Sequence, residues 1–299
     1  MRSIAAAVLV LTLAAGAPAV EEPGADARRV PLAARPPVHL GAVGAETHRA
    51  STSRIRPPVE GAWEPIPELT DEFGGDRLDP AKWHDHNPSW RGRKPALFRP
   101  SNVKVAGGHL HLTMRVEDVP DAPKGYHTFT SAAVKSKATA RYGYFEVRAR
   151  AMASRGSSAF WFYRSTPERW TEIDVFEIGG GAPKHKRALH MNVHVFRTPQ
   201  EKRHWSKAET YEAPADLAGA FHVYGLLWTP EKVEWYFDGR PVRIIKNTHW
   251  HQALHMNFDS ETMPDWFGLP EKTNLPSTFS IDYVRSWCPA ATPPAGEEP

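Results

Sequence analysis

Apolar and polar residues alternate along much of this chain in short runs: HLHLTMR from His109, YGYFEVRARA from Tyr142, SSAFWFY from Ser157, TEIDVFEI from Thr171 and RALHMNVHVF from Arg187. The pattern resumes in FHVYGLLW from Phe221, KVEWYFDG from Lys232, RPVRIIK from Arg240 and FSIDYVRSW from Phe279. Successive side chains of a strand point to opposite faces, so a period of two marks strands with one buried face. Two hairpins are legible. Val105 to Leu110 turns through Gly107-Gly108, and Trp235 to Val242 turns through Asp238-Gly239, a preferred type I′ pair. Sustained helical periodicity and internal repeats are missing from the sequence. The expected fold is all-β: an antiparallel two-sheet β-sandwich, or jelly roll, whose concave sheet can receive a polymer.

The flanks read differently. Residues 1–19 carry Arg2, an apolar run from Ile4 to Ala15 and the small residues Ala17-Pro18-Ala19, the form of an export signal cleaved after Ala19. That run is too short to cross a bilayer, which takes roughly 18 or more apolar residues, so no membrane span is expected. The expected location is secreted, periplasmic or cell envelope. Residues 20–58 are rich in Ala, Pro and Arg and read as a disordered linker, 59–288 as the folded unit and 289–299 as a disordered tail. One domain suits a chain of 299 residues.

Net charge is only +3 and the basic residues are scattered, which excludes nucleic acid as a partner. The short clusters Lys184, Lys186, Arg187 and Lys202, Arg203 suit either solvated loops or contacts to an anionic polysaccharide. Cys288 is the single cysteine, so the folded unit relies on its core without an internal disulfide. The 11 Trp, 13 Phe and 8 Tyr serve either a β-rich core or the stacking of flat sugar faces.

The segment Trp170-Thr171-Glu172-Ile173-Asp174-Val175-Phe176-Glu177-Ile178 sets three acids in one apolar strand. Alternation puts Glu172 and Asp174 on one face and Glu177 on the other. A β-bulge near Val175-Phe176 would return Glu177 to the acid face, and bulges are over-represented beside active sites. Glu172 and Glu177 would then stand about four strand steps apart, ~13 Å between backbones. Side chains leaning together can close that toward the roughly 5–5.5 Å between carboxyl groups of a retaining glycosidase. Asp174 between them should raise the pKa of at least one Glu and keep it protonated as a general acid. Spacing alone leaves open an ordinary solvated strand face.

At this point the chain resembles glycoside hydrolase family 16, whose longer signature is Glu-x-Asp-x-x-Glu on a bulged strand of a jelly roll. The resemblance extends through DEFGGDRLDPAKW, SNVKVAGGHLHLTMR, SKATARYGYFEVRARA, SSAFWFY, EIDVFE, HVYGLLWTPEKVEWYFDG and IDYVRSW. It implies Glu172 as nucleophile, Asp174 as its electrostatic partner and Glu177 as acid/base. HNPSWRGRKPALF, the acid spacing and NFDSETMPDW look closest to members that cut red-algal galactans, such as β-agarases and porphyranases. Laminarinases share the acid spacing, so an endo-β-1,3-glucanase is the enzymatic alternative. A non-catalytic carbohydrate-binding jelly roll and a transglycosylase complete the alternatives. The implied partner is a polysaccharide, with no protein partner indicated.

By similarity Trp161 should form a sugar platform, with Phe160 and Phe162 turned to the core, and His194 should bond a sugar beside Glu172. Trp90, Glu261 and Trp266 fall in Gly/Pro-flanked segments read as binding loops. His84 with His86 and His249 with His251 have an HxH spacing but no third ligand cluster, and are read as loop histidines. Retaining chemistry needs no metal cofactor. A structural calcium at Asp282, which the resemblance suggests, is left open.

Overall fold

In the computed structural model of the chain, residues 56–290 are described. The expected signal at 1–19, almost all of the linker expected at 20–58, and the tail beyond residue 290 lie outside the described residues. In chain order the strands are β1 (Trp63–Pro65), β2 (Trp83–His84), β3 (Ala96–Phe98), β4 (Val103–Ala106), β5 (His109–Val116), β6 (Phe129–Ala140), β7 (Gly143–Arg150), β8 (Ser157–Ser165) and β9 (Trp170–Ile178). They continue as β10 (Ala188–Arg197), β11 (Trp205–Ser206), β12 (Glu209–Glu212), β13 (His222–Trp228), β14 (Lys232–Phe237), β15 (Arg240–Lys246), β16 (Leu254–Glu261) and β17 (Ser277–Pro289).

These strands form the two layers that the alternation predicts. One layer runs β4, β5, β17, β7, β13, β14, β15, with β1 paired to the end of β17. The other is a curled sheet running β12, β10, β9, β8, β16, β6, with β11 beside β10 and β2 on the far side of β6. Strand β6 ties the layers together: its start pairs with β3 and with the end of β5, and the rest of it pairs with β16. Both hairpin turns take the left-handed conformation that their sequences favour, Gly107 at φ 59° and Gly108 at 76°, Asp238 at 47° and Gly239 at 74°.

The core lies between the layers and is filled by the inward set of each alternating run. Phe176 of β9 meets Tyr224 of β13 at 4.4 Å and Phe279 of β17 at 6.0 Å, and Phe162 of β8 meets Phe145 of β7 at 4.9 Å between ring centroids. Burying one such ring contributes about 1.5–3 kcal/mol. The inward residues are therefore committed, and the outward faces of β8 and β9 are left for chemistry.

Three expectations change. Pro289 closes β17 opposite Trp63, so the ordered strand runs one residue into the stretch read as tail. His84 ends β2 opposite Lys135 and so lies in a strand. Glu261 ends β16, where it pairs with Ser157, and is a strand residue instead of a loop residue. Asn, Asp, Ser and Glu crowd that segment and mimic turn chemistry, but pairing with β6 and β8 on both sides outweighs their weak strand propensity.

Candidate active site

Strand β9 carries the predicted bulge. Against β8, Phe176 faces Phe160 and Asp174 faces Trp161, leaving Val175 unmatched; against β10, Glu177 faces His190 and Asp174 faces Asn192. Val175 and Phe176 consequently both enter the core, at 2% and 0% exposure. Glu177 returns to the face that holds Glu172 and Asp174.

Cross-strand partners share a face, so the register gives the floor of the site. Glu172 lies between Tyr163 and His194. Asp174 lies between Trp161 and Asn192, with Asn257 and then Lys135 beyond Trp161. Glu177 lies between Ala159 and His190, with Asp259 beyond Ala159. Ligating atoms of Glu172, Asp174 and His194 all fall within 4.8 Å of one another. His194 Nε2 is 3.3 Å from Asp174 Oδ2 and 3.9 Å from Glu172 Oε1, while its Nδ1 is 3.1 Å from His204 Nε2. Asp174 Oδ2 is buried with no aligned hydrogen-bond donor.

The electrostatics favour the protonated form of several acids. Glu172 and Glu177 are both pushed well above the ordinary carboxylate range, first by burial and next by the charge of Asp174. Asp174 repulsion, expected from the spacing of the acids, is thus the smaller cause and desolvation the larger one. Asp259 is also raised well above its usual value, by burial and then by Glu261. Glu261 is raised by burial and held back by Arg93, whose Nε donates to Glu261 Oε2 at 3.0 Å. Arg93 also draws Glu177 downward. Opposite Glu177, His190 is pushed down to about 4 by burial and by His185, which keeps its imidazole neutral near pH 7.

The aromatic candidates separate into two places. Trp161 turns outward while Phe160 and Phe162 are fully buried, and its Nε1 donates to Asp259 Oδ2 at 2.5 Å. Tyr163 stacks on Trp161 at 4.7 Å, and Trp90 meets Trp161 edge-on at 6.2 Å, so Trp90, Trp161 and Tyr163 make one aromatic wall. Trp266 is 42% exposed in the turn after β16 and packs on His190 at 4.6 Å, near Glu177. The structure thus brings Trp161, His194 and Glu261 to the acid face, with Trp90 and Trp266 at its margins. Of the HxH histidines, His249 bonds Thr248 and His251 bonds the Tyr142 hydroxyl. Asp282 receives Arg148 at 2.6 Å and has His109 at 3.7 Å.

Sequence reasoning missed Asp259, Arg93, Tyr163 and His190. The first had a signal: His255, Asn257, Asp259 and Glu261 are polar at a strict period of two. Arg93 lies in the HNPSWRGRKPALF segment, but its partner Glu261 is 168 positions away and meets it only through the fold.

Beta-porphyranase D of Zobellia galactanivorans is 29% identical over 294 residues, covering 86% of this chain and 67% of that protein. Beta-porphyranase B of Phocaeicola plebeius is 31% identical over 271 residues, covering 75% and 84%. The crystal structure of porphyranase B from Zobellia galactanivorans superposes with a TM-score of 0.67 at 25% identity, covering 76% of this chain and 92% of that one. The family model of the GH16 domain of beta-porphyranases A–D matches residues 63–289, and the chain belongs to this family of endo-acting glycoside hydrolases.

Proposed function

We propose that the chain cleaves a β-glycosidic bond inside a red-algal galactan of the porphyran or agarose type, with retention of anomeric configuration, after export from the cell. The observation that carries the reading is the bulged strand β9, which turns Glu172, Asp174 and Glu177 to one face beside Trp161. Glu172 attacks the anomeric carbon while Glu177 protonates the departing glycosidic oxygen. Glu177 then takes a proton from water, which attacks the same carbon and releases Glu172. Asp174, at the centre, lies 3.3 Å from His194 Nε2 and its charge favours the protonated form of both Glu172 and Glu177. Trp161 stacks a sugar, with Trp90, His194, Glu261 and Trp266 as further contacts. The matches to porphyranases favour a galactan over a β-1,3-glucan.

The test is reducing-end release by residues 20–299 from porphyran, agarose, κ-carrageenan and laminarin, with Glu172→Gln as the blank. Turnover of a galactan, lost at least about 10³-fold in Glu172→Gln, is the expected outcome. Cleavage of laminarin alone makes the chain a β-1,3-glucanase with the same acids. Sugar binding without turnover makes it a binding module. The first anomer released, read by NMR, decides retention.

A further inference from the structure

The acids are held from behind as well as from within their own sheet. Trp250 lies between β15 and β16, outside the sheet that carries the acids. Its Nε1 donates to the Glu172 carbonyl at 2.8 Å and lies 3.2 Å from that of His194, its cross-strand partner. Trp235, on β14 of the opposite layer, donates from Nε1 to the Asp174 carbonyl at 2.9 Å. Both indoles are 1% exposed. A carbonyl has two lone pairs, so each can accept an indole in addition to any ladder bond.

Neither indole is free to wander. The Trp250 amide donates to Asn247 Oδ1 at 3.0 Å, and its carbonyl accepts Asn247 Nδ2 at 3.0 Å and Trp228 Nε1 at 2.8 Å. Trp235 is covered by the Arg243 guanidinium at 4.4 Å from the ring centre, and that buried side chain is anchored on the Lys207 carbonyl. Bulges leave a strand with a second register close by, and a slip of one residue would send Glu177 to the core. Donors fixed outside the acid sheet, Trp235 in the opposite layer and Trp250 in the β15–β16 connection, hold the Glu172 and Asp174 carbonyls in the register that carries the bulge.

We infer that Trp235 and Trp250 are positioning residues: their indole N–H groups lock the main chain of Glu172, Asp174 and His194 and so set the distance between the two reacting carboxyls. The inference rests on the catalytic reading above. Because a displacement of about 1 Å can cost about 10²-fold in rate, loss of either donor should act on turnover more than on binding.

The test replaces each indole in the full chain, first as Trp235→Phe and Trp250→Phe, then with 3-benzothienylalanine, which keeps the ring shape and lacks the N–H. Incorporation of 5-fluorotryptophan, which keeps the donor, is the rescue. Expected are a fall in kcat of about 10- to 100-fold, a KM within about threefold, faster amide exchange over residues 172–177, and recovery with 5-fluorotryptophan. An unchanged kcat in the benzothienyl variants, or equal losses of kcat and oligosaccharide affinity without rescue, overturns the inference. If the unaltered chain turns over no polysaccharide, the catalytic reading fails on its own, and unchanged amide exchange in the benzothienyl variants then overturns the lock.

Discussion

Arg93 holds one buried acid and biases another, and the two effects can be separated. It bonds Glu261, and its positive charge also favours the ionised form of Glu177. Arg93→Met keeps the apolar stem and removes that charge, so Glu177 should hold its proton to higher pH. If Glu177 is the general acid, the alkaline limb of kcat against pH moves upward, while a limb that stays put assigns the acid elsewhere. Trp161 offers a second test at this scale. It is turned outward beside Asp174 and held by Asp259. Trp161→Ala should raise KM about tenfold, the equivalent of about 1.4 kcal/mol, with a smaller change in kcat. A change confined to kcat would make the ring a positioning group.

At the scale of the element, the acid strand depends on one inserted residue. Val175 has no partner in β8 or β10, and it is this that lets Glu177 share a face with Glu172. Deleting Val175 leaves plain alternation in which Phe176 still points inward and Glu177 still shares the acid face, one residue closer to Glu172. Only the buried Val175 side chain leaves the core, which should lower stability by about 1–3 kcal/mol, and the shortened spacing between Glu172 and Glu177 should cut kcat by about 10²-fold. A stable and active deletion variant would show that the bulge is dispensable. This element also shows what the sequence could disclose. Alternation placed β8 and β9, and the break in alternation between Asp174 and Glu177 required a bulge if the acids were to meet. The same rule applied to His255, Asn257, Asp259 and Glu261 would have revealed β16, but the turn-like composition of that run obscured it. The partners of Trp235 and Trp250 were beyond sequence, because they lie 61 and 78 positions away along the chain and meet only when the layers pack.

For the molecule as a whole, the crowded acids should make the site a source of instability at neutral pH. Glu172, Glu177 and Asp259 all have folded-state pKa values above those of free carboxyls, first because folding buries them. Between the ordinary value and the raised one, the folded chain binds more protons than the unfolded chain. Stability therefore falls as pH rises through that window, and the penalty is absent below it, where both states are protonated. Replacing one of these acids by its amide removes a penalty that exists only when the group must ionise. Glu172→Gln should accordingly raise Tm at pH 7 by about 2–4 °C, the shift that about 1 kcal/mol produces in a domain of this size. The gain should shrink toward zero near pH 4. Thermal melts of the wild type and the variant across this range decide the matter, because groups remote from Glu172 contribute equally to both and cancel in the difference. A gain that is equal at both ends would trace to altered packing, and no gain at pH 7 would mean that the site accommodates its charges without cost.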